Sequence, residues 1–142
     1  MSEVDLAQAQ AIVAHALSEA AGRGMAGVSV VVTDPGGALR ASARSDGAGP
    51  FGVDIALAKA RTALGFRRSS IKTAAVFGDK PAIVTGLNAA VGSAFLPLGG
   101  GVVIVGAGGD PIGAAGVAGG LPEVDHEIVA GSVAAAGLAI LE

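Results

Sequence analysis

The stretch GVAGGLPEVDHEI, residues 116–128, gathers Glu123, Asp125, His126 and Glu127 at one point of a chain in which only 15% of residues are charged. Carboxylates and an imidazole placed so closely could move a proton, with Glu123, Asp125 or His126 as the acid or base. The glycines just upstream, Gly119 and Gly120 among them, leave backbone N–H groups bare ahead of a helix start, an arrangement that receives anions. The plainer reading is electrostatic. Glu123 and Asp125 fall in a first helical turn, where the dipole favours negative charge by roughly 0.3–1 kcal/mol each.

Lys59 lies on a helix face of otherwise small, apolar residues. It either snorkels to solvent or is held in a pocket as the cation for an acidic ligand or for Asp46. In an enzyme, Lys59 or Arg61 would hold a substrate carboxylate, whereas Arg67 and Arg68 read as a solvated or inter-subunit face. His15 stands one turn from Glu19, a spacing at which exposed helix pairs interact; the alternative is an axial ligand for haem iron, for which histidine is a common choice. With two histidines and no cysteine, His15 and His126 are the only nitrogen or sulfur ligands of usual strength, and Met1 and Met25 are weaker ones. No P-loop, nucleophile elbow, zinc spacing or dinucleotide fingerprint is present.

The elements that must position these groups follow from periodicity. Residues 3–22 read as an amphipathic helix capped by Ser2, with Leu6, Ala9, Val13, Ala16, Leu17 and Ala20 as its buried stripe. VSVVVTD (28–34), the turn DPGG (34–37) and LRASAR (39–44) form an antiparallel hairpin. A helix spans Val53 to about Arg68. Residues 69–98 read as a short helix and an irregular connection. Val102–Val105 and Ile112–Ala118 make a second hairpin, and a last helix runs from Pro122 to about Leu141, with proline at its first position. Hairpins without strand–helix–strand crossovers imply an antiparallel sheet covered by helices, an α+β fold.

The 142 residues suit one domain, 1–142. A net charge of −3 with one adjacent basic pair gives no footprint for nucleic acid. The apolar C-terminal half is broken repeatedly by glycine and proline, so no membrane span is expected. The acidic N-terminal residues are unlike a secretory signal and predict a cytoplasmic protein. Aromatic residues make up only 3%, so the core must be built from Ala, Val, Ile and Leu.

VVVTDPGGALRASARSDGA, DIALAKARTALGF and GAAGVAGGLPEVDHEIVAGSVAAAGL together resemble the GlcG/HbpS-like family, which includes the C-terminal domain of PduO-type proteins and is often described as haem-binding or haem-degrading. The resemblance runs in order along nearly the whole chain. It implies a profilin-like, five-stranded antiparallel sheet flanked by helices, assembling into homo-oligomers, with haem or a related tetrapyrrole as ligand in several members. Asp46, Lys59, Arg61 and Phe66 match two of the motifs, and Gly119, Gly120, Glu123 and Asp125 match the third. Ala118 and Val124 stand where that motif has serine and glutamine, and His126 is additional to it.

Two readings of function follow, with a ligand-free accessory subunit as the plain third. One is an oligomer that binds haem or a related tetrapyrrole, with His15 a candidate for the iron. The other is a cofactor-free isomerase, hydratase or hydrolase acting on a small organic acid or lactone. The enzyme would use Glu123, Asp125, His126 and Lys59, with Asp46, Arg61, Phe66, Gly119 and Gly120 around the ligand.

Overall fold

Glycine and small residues decide how this chain is layered. The computed structural model describes residues 2–92 and 94–142, so Met1, one of the weaker ligand candidates, lies outside the described residues. The order is α1 (Leu6–Gly22), β1 (Ser29–Thr33), β2 (Leu39–Arg44), α2 (Gly52–Phe66), α3 (Ser70–Phe77), α4 (Pro81–Val91), β3 (Gly101–Val105), β4 (Pro111–Ala118), α5 (Pro122–Ala135) and β5 (Ala139–Ile140). The strands form one antiparallel sheet in the order β2-β1-β4-β3-β5. Both expected hairpins are present, joined through the β1–β4 pairing.

The faces of this sheet carry different cores. Val30 and Val32 of β1, with Val102, Ile104, Ala115 and Val117, meet Ile12 and Ala16 of α1 and Ile128, Val129 and Val133 of α5. Residues of opposite parity, Val31, Ala114 and Ala118, meet Ala56 and Ala60 of α2. Alternation along a strand sends neighbouring side chains to opposite faces. Under α2 the cross-strand pair Gly101 and Gly116 is bare. A Cβ on Gly116 would run into the carbonyl of Ala56, and one on Gly101 into that of Lys59, so a full turn of helix backbone lies directly on the sheet.

Several boundaries differ from the sequence reading, each for a local reason. Helix α1 starts at Leu6 because Asp5, not Ser2, is its cap: Asp5 accepts the Gln8 N–H at 2.7 Å while the Gln8 side chain accepts from Asp5 N–H at 2.9 Å. Leu6 is exposed, and Ile12 takes the place expected of it in the stripe. The connection after α2 holds two helices, α3 and α4, the second started by Pro81 and closed by Gly92 at φ 70°. Helix α5 stops at Ala135 instead of reaching Leu141; Gly137 turns the chain at φ 79°, and Ala139–Ile140 add the fifth strand beside β3.

Candidate functional site

Lys59 and Asp125 come from opposite faces of the sheet and meet at its end, where β4 finishes and β3 begins. Lys59 Nζ stands 3.0 Å from Asp125 Oδ2 and also donates to the carbonyl of Val117 at 3.1 Å. The other carboxylate oxygen of Asp125 accepts the Gly120 N–H at 2.9 Å. Lys59 is 3% exposed and Asp125 0%, so both charges have left water. Burying two ions costs several kcal/mol apiece unless attraction and further hydrogen bonds offset it; here Val117 and Gly120 supply the additional bonds. Lys59 therefore neither snorkels nor pairs with Asp46. Its acid is Asp125, and the N–H of Gly120 is used inside the protein.

The other candidate residues are dispersed. Glu123 is exposed. His126 is half-buried, and its Nδ1 has no hydrogen-bond partner among the described residues. Glu127 bonds Arg23 at 3.0 Å and Glu19 bonds it at 3.2 Å, and these two acids hold the exposed guanidinium above its ordinary pKa. Arg61 donates to the Gly37 carbonyl at 3.1 Å and so braces the β1–β2 turn. Phe66 joins Phe77 and Phe95 in a cluster with ring centroids 5.3–5.7 Å apart. Asp46 is exposed and lines a hollow of about 250 Å³ with Leu17, Met25 and Val28.

His15 is anchored across the helix pair by Ser132. Its Nδ1 lies 2.9 Å from Ser132 Oγ, and that hydroxyl gives its one proton to the Ile128 carbonyl at 2.7 Å. A hydroxyl whose proton is spent on that carbonyl accepts from Nδ1, an arrangement that leaves Nε2 as the ring nitrogen turned to other partners. An imidazole fixed this way is oriented like a metal ligand. It stands between α1 and α5, on the face of the sheet opposite α2.

Two adjoining hollows lie at the start of α2. One, of about 370 Å³, is lined by Gly27, Ser29, the Gly47–Gly52 loop, Ile55, Ala118 and Gly119. The second, of about 440 Å³, is lined by Phe51, Asp54, Ile55, Ala58, Asn88, Phe95 and Leu96. Phe51 and Ile55 belong to both, and they are 73% and 39% exposed. Gly119 thus opens on a cavity, but the helix end beside that cavity is that of α2. The sequence reading passed over Ser29, Phe51 and Gly52. The signal available was GPFG (49–52), an aromatic residue set between glycines at a helix start with no Ser, Thr, Asp or Asn to cap it.

Among the described residues no three His, Asp or Glu side chains group as a metal site, and no helix is long and apolar enough to cross a membrane. The chain matches the family described as haem degrading protein HbpS-like over residues 4–134, and it belongs to that family. A double mutant of HbpS from Streptomyces reticuli is 29% identical, aligned over 95% of this chain and 88% of that one, with a TM-score of 0.81. Protein ORFY of Klebsiella pneumoniae is 25% identical over 96% of this chain and 92% of its own, with a TM-score of 0.86. A PduOC–haem complex shares the fold, at 24% identity over 100% of this chain and 99% of that one, with a TM-score of 0.83. No curated protein matches the sequence significantly.

Proposed function

We propose that this HbpS-like chain binds a haem-type tetrapyrrole, as a homo-oligomer, with the macrocycle on the apolar shelf of Phe51 and Ile55. The observation that carries the reading is Phe51. The other three phenylalanines pack on one another, whereas this one is left in solvent between two hollows. An exposed aromatic beside concave apolar surface marks a binding site, and the family's haem-related description names a flat apolar ligand.

The shelf fits the ring better than the metal. No His, Cys, Met or Tyr side chain lines either hollow among the described residues, so it offers the iron no side chain of the usual ligand types. Haem supplies its own redox and oxygen chemistry when bound. The contribution of Phe51, Ile55 and Leu96 is to bind the ring face and exclude water from it. Assembly is supported by α4, which has no charged residue and none that is buried, and which exposes Ile83 and Val91. Apolar surface of that kind is ordinarily covered.

Hemin added to the purified protein should give a saturable Soret band. Phe51→Glu should weaken binding roughly tenfold or more, since it removes a buried ring from the complex. His15→Ala and His126→Ala should leave the band in place. A band that never saturates overturns the reading. A band lost in His15→Ala but kept in Phe51→Glu would move the macrocycle to α1. Light scattering should give a mass above that of one chain, and a single-chain mass would remove the oligomer.

A further inference from the structure

The smaller of the two hollows is bordered by hydrogen-bond donors without partners. Ser29, on β1, is 1% exposed, and its Oγ has no partner among the described residues. It stands against Gly52, the first residue of α2, where a Cβ would collide with that hydroxyl. The helix start is equally unsatisfied. Phe51 occupies the cap position and no described side chain caps the helix. Gly52 N–H reaches the Gly49 carbonyl at 3.3 Å, and Ile55 N–H returns to Phe51 at 3.0 Å. The N–H groups of Val53 and Asp54 between them find no acceptor among the described residues.

First-turn N–H groups point off the end of a helix, here towards the Gly49–Gly52 loop; that loop and Ser29 line the hollow, and the Val53 and Asp54 amides are aimed at it from the turn behind Gly52. A helix of 15 residues adds the positive end of its dipole. Among the described residues no charged side chain lines this hollow; Asp54, the acid of the first turn, lines the neighbouring one. An acceptor with negative charge would satisfy both helix amides and the serine hydroxyl. The walls beyond it, Pro50, Phe51 and Ile55, are apolar.

We propose that this hollow is a carboxylate site, in which Ser29 and the first-turn amides of α2 hold the anion while Phe51 and Ile55 take an apolar body. The carboxylate belongs either to a free small organic acid or to the propionate of a tetrapyrrole on the shelf. The site goes beyond the tetrapyrrole reading, because a free acid suffices to fill it.

The full chain, labelled with nitrogen-15, would be titrated with sodium propionate, with propionamide, and with mesoporphyrin beside its dimethyl ester. The amide signals of Gly52, Val53 and Asp54 should shift saturably with propionate or with the porphyrin diacid, and not with propionamide or the ester. Ser29→Ala should weaken that binding roughly tenfold while the rest of the spectrum stays native, the loss expected for a charge-assisted donor. Saturation by propionate identifies a free acid as sufficient; saturation by the porphyrin diacid alone identifies the propionate arm. If neither saturates, or if diacid and ester bind alike and Ser29→Ala changes nothing, the carboxylate site is overturned even where hemin still binds. If propionate saturates and hemin does not, the site stands and the tetrapyrrole reading falls.

Discussion

The two faces of this sheet are held by opposite means. Beneath α1 and α5, Ile12, Ile128, Val129 and Val133 bury large aliphatic area against Val30, Val32, Val102 and Ile104. Beneath α2 the packed residues are Val31, Ala56, Ala60, Ala114 and Ala118, with bare glycine under the helix backbone. Stabilisation scales with apolar area removed from water, so the first face is held by side-chain area and the second by close approach. The thin face thus has less apolar grip on its helix, although that helix's first turn faces both hollows. The Lys59–Asp125 pair ties the two faces together, running from α2 to the start of α5.

The largest effect should come from cutting that tie. Lys59→Met leaves the Asp125 carboxylate buried with only the Gly120 N–H, and removing one partner of a buried pair costs about 3–5 kcal/mol. Lys59→Met combined with Asp125→Leu should recover much of the loss, because both desolvated charges are then gone. Urea unfolding of the two variants checks this. If Lys59→Met unfolds at the wild-type midpoint, the pair does not hold the two layers together.

The thick face should respond next, and in stability alone. Ile128→Ala opens a cavity among close-packed aliphatics, for which about 2–5 kcal/mol is expected. The hollows beside Phe51 lie across the sheet from Ile128, so hemin affinity should be unchanged under conditions where the variant is folded. A parallel fall in affinity would show that the faces are coupled more closely than their separate cores suggest.

How far the sequence carries follows the same division. On the thick face, Ala9, Val13, Ala16 and Ala20 recur at helical spacing, and the valines of β1 and β3 read as strands. On the thin face α2 and β4 were legible as a helix and a strand, but how closely they approach was not, because that rests on alanine and glycine, whose lack of side chain is what lets α2 settle. Asp125 and Lys59 were recognisable as unusual from their type and surroundings. Their pairing was not, because 66 positions separate them and the contact exists only once both layers are built. Ser29 was hidden within an apolar strand, and Phe51 within a loop. The second helix of the connection was missed because α4 carries no charged residue to give it a polar face.

The smallest change in stability should come from the thin face itself, and it should be the most informative. Gly116→Ala places a methyl against the Ala56 carbonyl. Overpacking of this kind costs about 1–3 kcal/mol, partly offset by the roughly 0.4–1 kcal/mol gained when glycine's freedom is removed from the unfolded chain. The strain can relax only by lifting α2, since β4 is fixed between β1 and β3. Lifting α2 carries Gly52 and its first-turn amides away from Ser29, which stays on β1. Hemin and propionate affinity should therefore fall along with stability in Gly116→Ala, whereas Ile128→Ala loses stability alone. Were Gly116→Ala to keep both its stability and its affinity, α2 would not be seated by the glycine pair, and the contrast between the two faces would lose its bearing on the site.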